Sequence, residues 1–199
     1  MFDPTRRYAL LSLVRAEAFT TRWTVDLLDE WIHVIVREQR TTAQRAANQR
    51  QKLLADFPEA LVTDVTAAVQ SLALALVVDP GDAKIAACAL AVAPCTLLTF
   101  NGRDFKRASL RERGVTVRKP GPWLAERYVV LGAEEQQDWC IALEHHRISL
   151  SGGAMSPKAY VDKLGLKERG LEAFVTAARE RFLALHRADP ADVTSRQTG

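Results

Sequence analysis

The apolar stretch between residues 83 and 100, interrupted once at Pro94, limits the chain to few folds. Residues 83–92 contain almost no polar side chains, which predicts a helix buried on most of its circumference. Proline ends that helix, and residues 95–100 (CTLLTF) then form a continuously apolar segment. Such a segment is typical of a strand in a parallel sheet that is covered on both faces. This part of the chain therefore predicts a helix followed by a buried strand.

The same alternation continues after this strand. Residues 104–113 have a helical pattern, and residues 115–117 predict a second strand. Upstream, residues 61–62 are interpreted as a short strand, whereas residues 69–78 are an apolar run that fits either a helix or a strand. Helices that alternate with strands indicate an α/β fold with a mostly parallel sheet.

Helices are predicted on both sides of this region. Three precede it, beginning at Asp3-Pro4, at Thr24 and at Thr42. Beyond Trp123 no further strand is expected, and helices are predicted over residues 133–146, 156–164 and 167–185. The predicted organisation is an α/β domain at residues 1–128, a helical extension at 129–187 and a flexible tail at 188–199.

Composition fits a soluble protein of the cytoplasm. Hydrophobic residues make up 48% of the chain and charged residues 26%, as in ordinary globular domains. No apolar run reaches the roughly 18 residues of a membrane span, and residues 1–16 are too charged for a signal peptide. The cysteines Cys88, Cys95 and Cys140 are odd in number and lack metal-binding spacing, so we expect them to be reduced and buried.

Acidic residues stand where an α/β sheet places ligand sites, outside the carboxyl ends of strands and at the starts of the following helices. Asp82 opens the buried helix, with Asp79 three residues earlier. Thr99, Asn101 and Asp104 follow the apolar strand. Each group also has a simpler interpretation, because Asp and Asn commonly cap helices.

A third acidic position lies on the helix that begins at Thr24. Glu30 is at the border of its apolar stripe, whereas Asp29 points well away from it. A surface ion pair with a neighbour is the alternative for Glu30. If the acids converge on one end of the sheet, they repel one another unless a cation lies between them. Mg²⁺ suits such a place, and it activates water for attack on phosphate esters.

A basic segment accompanies the acids. Residues 101–119 contain seven Lys or Arg side chains against two acids, although the net charge of the whole chain is only +3. Arg103, Lys106 and Arg107 directly follow the apolar strand and are candidate contacts for nucleic-acid phosphates. A solvated charged face is the alternative for this segment.

Three motifs together resemble the PIN-domain family. These are R-W-T-V-D-L-L-D-E-W at residues 22–31, D-P-G-D-A-K-I-A-A at 79–87 and T-F-N-G-R-D-F at 99–105. The resemblance covers roughly residues 1–124 and implies a three-layer PIN-like fold with a C-terminal helical extension. It further implies that Glu30, Asp82 and Asp104 are metal-site acids, while Thr99 and Asn101 shape the site or contact substrate.

The resemblance also implies an activity and partners. PIN domains are typically Mg²⁺- or Mn²⁺-dependent endoribonucleases, and many are VapC-like toxins neutralised by a small antitoxin. We therefore expect a metal-dependent endoribonuclease, with RNA, a cognate antitoxin and a second copy of the chain as partners, and no membrane.

The chain departs from the family pattern at its start. PIN domains begin with an apolar strand that ends in a metal-binding aspartate, and neither precedes the first predicted helix. We expect a fold that is incomplete at the N-terminus, through truncation or a late start codon, with impaired activity. The alternative is a degenerate PIN protein that serves as a non-catalytic RNA-binding or protein-interaction module. An unrelated α/β enzyme has no supporting glycine loop, GxSxG or HExxH motif.

Overall fold

The computed structural model describes residues 4–38, 40–167 and 170–187. The described residues form two compact units, one within residues 20–119 and the other combining residues 4–19 with the described residues between 120 and 187. The predicted cap Asp3 and the predicted tail at residues 188–199 lie outside the described residues. The boundaries of the predicted domains remain predictions.

Helices dominate both units. In chain order the described elements are α1 (Pro4–Arg15), α2 (Val25–Arg37), α3 (Ala43–Asp56), α4 (Ala67–Ala75), α5 (Ala83–Ala91), β1 (Cys95–Leu98), α6 (Arg107–Arg111), β2 (Val115–Arg118), α7 (Pro120–Val129), α8 (Ala133–Ser151), α9 (Pro157–Leu164) and α10 (Glu172–Ala184). In the part of the chain that the structure describes, no helix is both long and apolar enough to cross a membrane.

The sheet of the first unit is parallel. Strands β1 and β2 pair with Cys95 opposite Val115, and α6 forms the crossover between them. The core lies where α4, α5 and the two strands meet, and the buried side chains include Ala73, Ala86, Leu97 and Leu110. The small alanine side chains of α4 and α5 allow the two helices to pack closely. The predicted α/β class, with parallel pairing and C-terminal helices, is confirmed.

Threonine caps fix the starts of three helices in this unit. The Thr24 hydroxyl accepts a hydrogen bond from a backbone N–H group of α2, as predicted, and the Thr42 hydroxyl caps α3 in the same way. Thr66 caps α4 in the same way, with its hydroxyl 3.3 Å from the Val69 nitrogen. The ambiguous apolar run at residues 69–78 is therefore helical as far as Ala75, where α4 ends.

Two predicted elements differ from the structure. The helix predicted over residues 104–113 is shortened to α6, because Phe105 is extended and pairs with Val77 in an antiparallel bridge. The strand predicted at residues 61–62 is a single parallel bridge between Trp23 and Leu61. The Val62 N–H donates to the Trp23 carbonyl at 2.8 Å.

The second unit is helical. Helix α10 packs against α7, α8 and α9, and α1 packs against α8. The rings of Tyr128, Trp139 and Phe174 meet in the core with centroids 5.8–5.9 Å apart. Helix α7 had no sequence prediction, and α10 begins at Glu172, later than residue 167.

A buried histidine lies in this helical core. His146 on α8 is 3% exposed, and its Nδ1 lies 2.8 Å from the hydroxyl oxygen of Tyr160 on α9. Among the described residues, its Nε2 atom is buried and has no hydrogen-bond partner. Burial, with a smaller contribution from the Lys163 charge, lowers the pKa of His146 to about 4.

Candidate active site

The turn before α5 exposes a carboxylate that no capping bond uses. Asp79 begins the turn, and its side chain accepts a hydrogen bond of 2.9 Å from the Gly81 N–H. Asp82 follows, its N–H donating to the Asp79 carbonyl at 3.0 Å. The Asp82 carboxylate makes no capping bond to α5, although a cap was the simpler interpretation of this residue. Its carboxylate is therefore not committed to capping the helix.

Backbone pairing brings Asp104 towards this turn. The Val78 N–H donates to the Asp104 carbonyl at 2.7 Å, and the Lys106 N–H donates to the Leu76 carbonyl at 2.9 Å. Residues 104–106 are thus held against residues 76–78, immediately before Asp79. These main-chain hydrogen bonds place Asp104 beside the start of α5.

The residues after β1 orient the Asp104 carboxylate. The Thr99 N–H donates to the Arg118 carbonyl at 2.9 Å, which extends the pairing of the strands by one step. The Thr99 hydroxyl accepts from the Asn101 N–H at 3.1 Å, and the Asn101 amide donates to an Asp104 carboxylate oxygen. Thr99 and Asn101 therefore shape the loop that carries the acid.

The electrostatics of Asp82 report the convergence of four acids. Its pKa is raised by partial burial first, and then by the charge and hydrogen bonding of Asp104. Asp79 and Glu30 contribute further in the same direction, because nearby negative charges disfavour ionisation. Asp104, Asp79 and Glu30 are therefore near enough to Asp82 for their charges to act on its carboxylate.

Helix α2 directs its two neighbouring acids differently. Leu28, Trp31 and Ile35 form its buried face. Glu30 turns towards α5, where its carboxylate lies 3.5 Å from the Lys84 ammonium. Asp29 turns towards α3 and pairs with Arg50 at 2.6 Å. The predicted distinction between the two acids matches their positions, and the ion-pair alternative for Glu30 is also observed.

The donor set suits a hard divalent cation. Carboxylate oxygens are the ligands that Mg²⁺ and Mn²⁺ prefer, and Mg²⁺ binds through one or two carboxylates together with waters and phosphate oxygens. Asp82 and Asp104 provide such a pair. Across residues 4–38, 40–167 and 170–187, no group of three or more His, Cys, Asp or Glu side chains is close enough to share an ion. At most two of these acids therefore coordinate one ion directly in this arrangement.

The predicted phosphate-binding residues lie beside the acids and differ in their freedom. Arg103 is exposed in the turn Gly102–Asp104. The Lys106 ammonium donates to the Ala75 carbonyl at 2.9 Å, at the end of α4. The Arg107 guanidinium donates to the Val117 carbonyl at 3.2 Å, on β2. On binding RNA, the Lys106 ammonium and the Arg107 guanidinium would exchange these hydrogen bonds to backbone carbonyls for contacts with phosphates.

Lys84 is a site residue that sequence reasoning missed. It is 54 positions from Glu30, and no local pattern reports an ion pair over that separation. Asp79 carried a signal, because its D-P-G sequence is typical of a turn and its carboxylate lies three residues from Asp82.

An α/β unit with acids gathered beyond the carboxyl end of a parallel strand defines a class of protein with a polar ligand site at the sheet edge. A family model described as PIN domain matches residues 2–103, just over half of the chain. The chain belongs to the PIN-domain family, which indicates a nuclease-type function in general terms, and proteins of this family generally depend on divalent metal. Asp104 lies one residue beyond the match, so its assignment rests on geometry. No curated protein and no solved structure matches the chain.

Proposed function

We propose that this chain is a metal-dependent endoribonuclease of PIN type. The observation that carries the proposal is the main-chain pairing of residues 76–78 with residues 104–106, which sets Asp104 beside the turn that carries Asp82. The raised pKa of Asp82 agrees with this placement. Repulsion among these acids disfavours the folded state, and a bound cation would offset it. Family membership supports a nuclease-type reaction at this place.

Asp82 and Asp104 would hold the ion, with Mg²⁺ or Mn²⁺ as the metal. When bound, it supplies an activated water and neutralises charge on the phosphate. Asn101 keeps the Asp104 carboxylate in one orientation, and Thr99 keeps the Asn101 backbone in place. Arg103, Lys106 and Arg107 would bind neighbouring phosphates of RNA and hold the scissile one near the acids.

We further propose that the activity of this 199-residue chain is low. Two carboxylates lie close enough to interact directly, and the remaining acids act at longer range. Phosphodiester hydrolysis needs its ligands in a tight arrangement, where misplacement by about 1 Å costs on the order of a hundredfold in rate. A toxin neutralised by an antitoxin, able to form a homodimer in the cytoplasm, is the biological setting that we propose from the family resemblance.

The test is a calorimetric titration with Mn²⁺. The variant Asp82→Asn should bind Mn²⁺ about tenfold more weakly or worse, because it removes one of two anionic ligands, and it should lose any cleavage of single-stranded RNA. Asp29→Asn is the matched control, since Asp29 pairs with Arg50 on the other side of α2. If Asp82→Asn binds Mn²⁺ as tightly as the parent chain, the metal site is misplaced.

A second candidate is a non-catalytic RNA-binding or protein-interaction module. One observation favours it, namely that no three acids among the described residues are close enough to share an ion. RNA binding without cleavage in Mg²⁺ or Mn²⁺, unchanged in Asp82→Asn, would establish this candidate. Metal-dependent cleavage by the parent chain would exclude it. Growth arrest on expression, absent for Asp82→Asn, would support the toxin role.

A further inference from the structure

A cavity of about 550 Å³ lies beside the acids within the first unit. Its walls come from the start of α2, residues 62–65, α4 and the start of α5. Pro80 and Lys84 belong to its lining, and both flank Asp82 in the sequence. The turn that carries the acids is therefore also one wall of the cavity.

The lining combines aliphatic surface with a few polar groups. Val62, Val65 and Leu74 provide apolar walls, and Gln70 brings an amide to the same space. Sites for small organic ligands have this composition and volumes of about 300–1,000 Å³. A nucleoside has the matching chemistry, with flat apolar ring faces and hydrogen-bonding edges.

Lys84 connects the cavity with the acidic group. Its side chain lines the cavity, and its ammonium lies 3.5 Å from the Glu30 carboxylate at the other end. The ion pair is half-exposed, with side-chain exposures of 55% and 47%, so it exchanges partners at small cost. A phosphate joining a nucleoside in the cavity to the acidic site would pass this ammonium.

We propose that this cavity is a subsite for one nucleotide of single-stranded RNA, next to the phosphate that reacts at Asp82 and Asp104. The nucleoside occupies the aliphatic walls, the Gln70 amide contacts its polar edge, and Lys84 binds the adjoining phosphate. This subsite rests on the proposed nuclease function and extends it, because it gives the enzyme a preference for unpaired nucleotides. A base stacked and paired in a duplex cannot enter the cavity.

The experiment measures the affinity of the chain for a short oligoribonucleotide of mixed sequence that carries a fluorescein label. Ca²⁺ is the divalent ion in the buffer. Gln70→Trp places a bulky ring at an exposed position of α4 that lines the cavity. It should weaken RNA binding about tenfold, equivalent to about 1.4 kcal/mol, and leave the affinity for Mn²⁺ unchanged. Gln51→Trp, at an exposed position on α3 outside the cavity, is the matched control and should bind RNA as the parent does.

A second variant tests the phosphate contact without filling the cavity. Lys84→Met should lower the logarithmic salt slope of RNA binding by about 0.7, the value for one phosphate contact on a single strand. Lys52→Met, which removes an exposed lysine of α3 that pairs with Asp56, should leave the slope unchanged. Methyl NMR adds a direct readout, because resonances of Val62, Val65 and Leu74 should shift when the oligoribonucleotide binds.

The outcomes separate this inference from the proposed function. If the parent binds RNA and Gln70→Trp binds it equally well, the subsite is wrong, the nuclease proposal stands, and the cavity is left to an apolar side chain of a protein partner. If the parent binds no RNA at all, both proposals fail. Loss of RNA affinity in Gln70→Trp with unchanged Mn²⁺ affinity supports the subsite.

Discussion

Protonation of His146 should make the stability of the helical unit depend on pH. In the folded protein, burial lowers its pKa from 6.5 to about 4. The folded state therefore favours neutral His146, whereas the unfolded chain takes up a proton below pH 6.5. The stabilisation is fully present above pH 6.5 and is lost as the pH falls from 6.5 towards 4.

The size of the effect follows from the same values. Each unit of pKa corresponds to about 1.4 kcal/mol, so up to about 3 kcal/mol of unfolding free energy depends on this one proton. The structure supports a large value, because His146 is 3% exposed and its Nε2 has no partner among the described residues to accept an added proton. Below about pH 4 the folded state also binds the proton, and the slope from this residue ends.

Chemical denaturation followed by tryptophan fluorescence and circular dichroism measures this dependence. His146→Phe removes the titrating group, so the loss of stability between pH 6.5 and 4 should become smaller by up to about 3 kcal/mol. His145→Phe is the control, at an exposed position on the same helix, and should keep the parent's dependence. A curve for His146→Phe that parallels the parent's over this pH range would refute the reasoning.

Two other predictions concern the acidic site. In the absence of metal at neutral pH, Asp104→Asn should raise the free energy of unfolding by on the order of 0.5 kcal/mol, because it removes a negative charge that raises the pKa of Asp82. Thermal unfolding in EDTA measures this change. No stabilisation of the variant would contradict the proximity of the two acids. Neutralising any one of Arg103, Lys106 and Arg107 should lower the logarithmic salt slope of RNA binding by up to about 0.7, with the full value at Arg103. The control Arg50→Gln only breaks the ion pair with Asp29 and should leave the slope unchanged. An unchanged slope in the triple variant would make this segment a solvated face.

Local signals in the sequence account for much of the fold. Thr24 and Thr42 cap helices through contacts within one helical turn, and Pro94 follows the end of α5 at similarly short range. Signals of such short range can be read directly from the sequence. The strand β1 was predictable because its apolar run stands between a proline and a polar loop. The parallel pairing followed from the helix that connects the two strands.

Tertiary contacts decided what the sequence could not reveal. Phe105 lies in a segment with a helical pattern, but its bridge to Val77 keeps it extended. The ion pair of Glu30 with Lys84 and the cavity between distant segments depend on how the helices pack. Asp82 and Asp104 could be singled out because one opens a helix and the other follows a strand, and Glu30 because it borders the apolar stripe of α2. The distances between these acids needed the structure.

The pairing of residues 76–78 with residues 104–106 holds Asp104 in place through the backbone, so its position depends little on which side chains surround it. Both hydrogen bonds join main-chain atoms, so replacing the exposed Val78 or Lys106 by any residue other than proline keeps both donors. Insertion or deletion of one residue beside Asp104 is different, because a one-residue slip turns every side chain of an extended segment to the opposite face. Evolution can therefore vary the exposed side chains of these segments, while their length stays under selection for as long as the acid is used.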